Sequence, residues 1–154
     1  MGADVNVLLR KAFEGEVLGE AFFARLAEET TDDEQRRKLD ALRRLEASTK
    51  ELLRPVLERH GVSTDEENCR RTGASLAEAA ESMSWHELLA TFEPSTQDYI
   101  AVYMQLRAVV DDDERDMVDS LVAHEAALCE FCRLELGGEA GRSVDPILAL
   151  PHVS

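Results

Sequence analysis

The chain has little of what several protein classes require. Three cysteines in 154 residues is too few, and an odd number, for a disulfide framework, so a reducing, cytoplasmic setting is the default expectation. Aromatic residues make up only 5%. No apolar run approaches the ~18 residues of a membrane span. The first residues, Met1-Gly2-Ala3-Asp4, lack a basic stretch followed by an apolar one, so no signal peptide is expected. Positive charge is scarce: 17 Lys+Arg against 32 Asp+Glu leave a formal net charge of -15. A field of that sign repels phosphate backbones and anionic lipid surfaces, which argues against nucleic acid and membrane as partners. The sequence holds no G-x-x-x-x-G-K, no G-x-S-x-G and no H-E-x-x-H, so phosphate-loop, serine-hydrolase and zinc-protease chemistry have no support.

What is present is helical. Glu, Leu and Ala dominate, and hydrophobic residues reach 44%, enough for the core of one domain. Thr31-Asp32-Asp33-Glu34, Ser75-Leu76-Ala77-Glu78 and Ser84-Trp85-His86-Glu87 each read as a capping box. Gly61 and Gly137-Gly138 follow the last apolar turn of their segments, as C-caps do. Four long helices are expected: Val5 to Glu29, Asp32 to His60 with Pro55 bending it, Trp85 or Ser95 to Val110 with Pro94 starting or kinking it, and Asp112 to Leu136. The first two and the last two are joined by only a few residues, which makes each pair an antiparallel hairpin. The long connection between the pairs, Val62 to Ser84, carries a short helix of its own. The plan predicted for residues 1–138 is therefore an all-α, four-helix bundle of two antiparallel hairpins joined by a long crossover, the ferritin-like arrangement. Residues 139–154 form a C-terminal tail that either docks on the bundle or contacts another chain.

Carboxylates interrupt the apolar stripes of these helices. The first stripe runs Leu9, Phe13, Glu16, Glu20, Phe23, Ala27; the second Leu39, Leu42, Glu46, Thr49, Leu53, Val56; the last Leu121, Glu125, Leu128, Cys132. The 3-and-4 spacing puts each set on one helix face. Glu16, Glu46 and Glu125 then stand at mid-height on inward faces. A buried charge is costly unless it is paired or binds a metal, and three such carboxylates repel one another. A divalent cation, shared protons or neighbouring bases must offset that repulsion. Solvated glutamates at the edges of the stripes are the competing reading.

Ala12-Phe13-Glu14-Gly15-Glu16, with Phe23 seven residues beyond Glu16, resembles the first helix of the rubrerythrin-type branch of the ferritin-like superfamily. Glu46 and Glu125 fall close to that family's two Glu-x-x-His positions. The halves echo each other as the family's halves do: Asp32-Asp33-Glu34 with Leu45-Glu46-Ala47 matches Asp112-Asp113-Glu114 with His124-Glu125-Ala126, and Phe23 matches Tyr103. The resemblance implies a carboxylate metal site built from Glu16, Glu46 and Glu125, with Glu20 one turn from Glu16 as a fourth acid. The departures are specific. Thr49 and Leu128 stand where the family has histidine, and Thr96 or Gln97 where it has an acid. His124 is next to Glu125, about 100° around the helix, so the pair is not expected on one metal. An oxygen-only site favours Mg, Ca or Mn over Fe.

Cys129-Glu130-Phe131-Cys132 has redox-motif spacing but lies near a helix C-terminus among acids, where the dipole opposes a thiolate, so both are expected as reduced core residues. His60, His86, His124 and His152 form no H-x-x-x-H, and His60 and His86 are expected at helix ends. Tyr99 and Tyr103 are one turn apart, and Tyr103 is placed to hydrogen-bond into a carboxylate cluster. Trp85 reads as a plug over the bundle end. The expected function is a ferritin-like metal-binding protein, a homodimer, holding Fe, Mn or Mg and resembling rubrerythrin-type oxidoreductases with a reduced site. The other class is a non-catalytic helical scaffold that lost its metals.

Overall fold

The computed structural model describes residues 4–153; the Met1-Gly2-Ala3 start read above for a signal peptide, and Ser154, lie outside the described residues. Among the described residues the chain is all-α and holds no strand. The helices are α1 (Val5–Glu29), α2 (Asp33–His60), α3 (Glu66–Ala79), α4 (Trp85–Val109), α5 (Arg115–Leu136) and α6 (Asp145–Leu148). Short 3-10 turns at Asp112–Glu114 and Ala140–Arg142 precede the last two. None of these helices is long and apolar enough to cross a membrane.

Short polar side chains start the helices. Asp4 accepts from the Asn6 amide at 2.9 Å to cap α1, and Ser84 with Glu87 closes both bonds of the capping box on α4, 3.1 and 3.0 Å. Two expected starts move. Asp32, not Thr31, caps α2 by accepting from the Gln35 amide at 3.0 Å. The Ser75–Glu78 pattern lies inside α3, whose cap is Asp65, accepting from the Asn68 amide at 3.0 Å. An Asp or Ser that reaches an N3 amide satisfies a donor the helix itself leaves open. Gly61 ends α2 at φ 64, where a side chain would strain. Helices α2 and α4 run through Pro55 and Pro94. Both prolines are exposed. Past Pro94, where the ring removes a helical bond, the Ser95 and Thr96 hydroxyls donate to the Phe92 and Glu93 carbonyls, both at 2.7 Å.

Cross-helix contacts give the directions. Lys50 of α2 reaches Glu20 of α1 at 2.6 Å, and Arg54 lies over the Phe13 ring. Trp85 donates to Glu135 at 2.7 Å, Gln97 to the Cys129 sulfur at 3.7 Å and Arg107 to Asp119 at 2.7 Å. Both ladders run in opposite senses, so α1/α2 and α4/α5 are antiparallel pairs. Helix α3 lies against α1, and Gly73 makes that possible: a Cβ there would stand 2.3 Å from the Leu18 carbonyl oxygen.

Apolar packing divides into two clusters. One holds Phe22, Phe23, Leu42, Leu45, Leu89, Phe131 and Ile147; the other holds Leu9, Phe13, Leu53, Tyr103, Leu106 and Leu121. On α2 and α5 the boundary between them falls at Glu46 and Glu125, and on α1 it falls within two turns after Glu16, between Val17 and Phe22. A polar layer therefore crosses the interior at mid-height. At one end the buried pair Lys38–Glu135, 2.6 Å, ties α2 to α5. At the other, Glu114 accepts from Arg59 at 3.1 Å and from His60 at 3.0 Å, tying the end of α2 to the start of α5. The C-terminal segment, residues 139–153, docks: Val144 and Ile147 are buried in the first cluster, Ile147 fully.

Candidate metal centre

The polar layer is assembled from three helices and the C-terminal segment. Glu16 comes from α1, Glu46 and Thr49 from α2, and His124 and Glu125 from α5; all five are buried. The His124 ring lies at the centre. Its Nδ1 is 3.7 Å from Glu16 Oε2, and its Nε2 is 3.7 Å from Glu46 Oε2 and 3.5 Å from Glu125 Oε1. Glu16, His124 and Glu125 each offer a ligand atom within 4.8 Å of the others. Three of the four acids named from the sequence thus converge. Glu20 does not join them. Its carboxylate sits one turn along α1, partly exposed, where Lys50 holds it at 2.6 Å.

His124 corrects the expectation that it and Glu125 point apart. Adjacent Cα–Cβ bonds do diverge, yet a long Glu and a broad imidazole bend back across that angle. Behind the ring, Thr49 Oγ1 is 2.8 Å from His124 Nδ1 and 2.9 Å from His152 Nε2. A hydroxyl has one proton, so it donates to one ring and accepts from the other. Thr49, expected only as the place of a missing histidine, instead orients one histidine and brings in a second from the C-terminal segment. Nothing local in the sequence signals His152, since it reaches the site only through docking of α6.

Two of the buried atoms without a hydrogen-bond partner belong to this layer: Glu16 Oε2 and His124 Nε2. The latter faces two carboxylates at distances too long for hydrogen bonds. The electrostatics follow. Burial, then the charges of Glu46 and Glu125, hold Glu16 well above the usual carboxylate range. Burial raises Glu125 to about 8, with His124 opposing and Glu46 assisting. For His124 burial favours the neutral ring, but Glu46 and Glu125 outweigh it and the net shift is upward. Tyr103 donates to Glu16 Oε1 at 3.1 Å, and burial pushes its own ionisation far upward. The cluster wants positive charge, as protons or as a cation.

The donor set fits a single metal ion. Two ligands at ~2.1 Å from one ion stand at most ~4.2 Å apart, so donors already within 4.8 Å need only small side-chain adjustments. An imidazole among carboxylates widens the oxygen-only expectation toward Fe, Mn and Zn. The Thr49 contact to Nδ1 is the kind of outer partner that fixes a ligating histidine. A four-carboxylate, two-histidine pair site does not fit. Of the two α4 positions where the resemblance would put an acid, the Thr96 hydroxyl donates to its own helix and the Gln97 amide to Cys129, while Leu128 is part of the apolar cluster.

Two glycines make room. A Cβ on Gly19 would stand 2.8 Å from the Glu46 carboxyl carbon, and one on Gly15 2.7 Å from the Tyr99 hydroxyl. Both sit inside α1, where glycine costs roughly 1 kcal/mol against alanine. The C-x-x-C pair lies one to two turns beyond Glu125 on α5: Cys129 and Cys132 are free and buried, and burial, with Cys129, Glu93 and Glu135 nearby, raises Cys132 to about 12. His86 is exposed in the first turn of α4. No protein family, curated protein or solved structure matches the chain.

Proposed function

We propose that this protein is a ferritin-like metal-binding protein holding one divalent cation in the polar layer, with Glu16, Glu125 and His124 as ligands and Glu46 beside them. The supporting observation is the convergence of three buried carboxylates on a histidine whose Nε2 has no hydrogen-bond partner. Three carboxylates and a neutral imidazole sum to three negative charges, which a divalent ion lowers to one. Bound Fe or Mn would supply redox chemistry; Zn or Mg would supply only Lewis acidity. The chain's own residues do the rest. Tyr103 holds Glu16, Thr49 fixes the His124 ring, and the two apolar clusters enclose the layer from either side. We take the rubrerythrin-type resemblance to extend to the bundle plan and not to a two-metal centre. A homodimer remains part of this reading, since bundles of this plan pair through helical faces.

The test is elemental analysis of protein purified without chelator, followed by calorimetric titration of the stripped protein with Mn²⁺, Fe²⁺ and Zn²⁺. About one ion per chain, abolished in Glu125→Ala, is expected. Absence of any bound metal and of any saturable titration would leave the second reading, a non-catalytic helical scaffold. That reading is favoured by one feature, the lack of an acid at Thr96 or Gln97 of α4.

A further inference from the structure

A cavity of about 420 Å³ runs beside the polar layer. Its walls come from α1, α3 and α4, and its lining passes from exposed residues to fully buried ones. Leu76 and Met83 line it while 48% and 42% exposed, and Glu16 and Tyr103 line it while essentially inaccessible. It is therefore a pocket that opens at Leu76 and Met83 and narrows onto the edge of the layer, where Glu46 and Glu125 keep 7% and 5% exposure. Leu76 and Met83 are two of the few large apolar side chains left exposed among the described residues. Their place at the mouth is a second, independent sign that an apolar body enters there.

The wall chemistry narrows the ligand. Phe22, Phe23, Leu88 and Phe92 make the wall mainly hydrocarbon. Thr91 and Ser95 also line it, but their hydroxyl protons are used on the Glu87 and Phe92 carbonyls, at 2.9 and 2.7 Å. Tyr103 is used on Glu16. Tyr99 alone among the lining hydroxyls has no hydrogen-bond partner within the described residues. At the inner end stand Glu16, Glu46 and Glu125, and the chain as a whole carries a formal net charge of -15. An anionic head would meet repulsion along the whole path. A cavity of ~150 Å³ takes one benzene, so this one suits a molecule of two rings or an aliphatic chain of comparable size.

We propose that the pocket is a binding site for a neutral, mainly hydrocarbon small molecule, carrying at most one hydrogen-bonding group, which lies with its inner end against the Glu16–Glu46–Glu125 layer. As the substrate class of a metal centre this rests on the function proposed above; as a binding site it does not.

The test uses the full chain, stripped of metal, with N-phenyl-1-naphthylamine as a neutral fluorescent probe. Saturable binding of one probe per chain is expected, displaced by 1-decanol and not by decanoate. Thr91→Trp and Ser95→Trp each place an indole in the pocket from an exposed position, and each is expected to weaken the probe by about tenfold or more. Unchanged far-UV circular dichroism and unchanged Mn²⁺ titration would show that the fold and the polar layer are intact. Non-saturable fluorescence, or full affinity in both tryptophan variants that fold, overturns the pocket site. Displacement by decanoate at least as strong as by decanol overturns the assigned ligand class. Probe binding by a protein that takes up no metal supports the pocket site while removing the metal reading, so the two fail separately.

Discussion

At the scale of the residue, Glu46 decides what the cluster costs and what it binds. It lies 3.7 Å from His124 and raises both Glu16 and Glu125. Replacing it with glutamine removes one charge and keeps the shape. Glu46→Gln is expected to leave the metal-free protein equally or more stable and to weaken Mn²⁺ binding. A mutant that melts several degrees lower, beside a wild type that gains nothing from metal, would make Glu46 a structural acceptor. Gly19 gives an independent handle. Alanine there improves helix propensity by about 1 kcal/mol but meets the Glu46 carboxylate at 2.8 Å. Gly19→Ala is expected to change the melting temperature little while lowering metal affinity by about tenfold, as loss of a ligand's support does; calorimetry that shows undiminished affinity contradicts this. The acids were legible from sequence because a carboxylate inside a 3-and-4 apolar stripe is conspicuous. His124 was not, because helix angle alone ignores how far a side chain reaches. Gly19 carries no sequence signal of its own; its role exists only against Glu46 of another helix.

At the scale of the element, caps and turn lengths made α1, α2, α4 and α5 readable to within a few residues. The all-helical class followed from them. Less readable were the segments whose structure depends on docking. Ser75–Glu78 has the capping pattern, yet α3 begins at Glu66 because Asp65 captures the Asn68 amide first. The C-terminal segment has one short helix that could not persist alone; Val144 and Ile147 hold it on the core. Ile147→Ala is expected to cost about 2–5 kcal/mol, read by urea unfolding, and to loosen the Thr49–His152 contact. A cost below that range would mean that the segment is only loosely attached. Helix α5 also answers the thiol question. Cys129 and Cys132 are unbonded and buried beneath Gln97 and the apolar cluster. They are expected to label slowly with a maleimide in native buffer and fully in denaturant; fast native labelling of both would restore a redox reading of the C-x-x-C.

At the scale of the whole molecule, the layer ties stability to pH. Glu125 titrates near 8 when folded against an ordinary value near 4.5, and Glu16 is also raised. A carboxyl with a raised folded value binds its proton more tightly in the folded state. It stabilises fully below the unfolded value and loses that contribution as pH climbs through the folded one. His124, also raised, acts in the same sense around neutrality. His152 opposes, since burial and His124 lower it, but its effect fades above its ordinary value near 6.5. Glu114 is depressed by His60 and Arg59, which outweigh its burial, and its contribution is lost only in acid. Between pH 6.5 and 8.5 the metal-free protein should therefore lose stability as pH rises, by up to about 1.4 kcal/mol per pH unit for each proton released. A bound cation reverses the slope, because the deprotonated layer binds it best. Urea unfolding across this range, with chelator and then with Mn²⁺, measures both slopes. A flat metal-free profile that Mn²⁺ leaves unchanged would mean the acids are solvated after all. Opposite slopes would mean that protons and the metal compete for one buried layer, and Glu125→Gln should then flatten the metal-free profile.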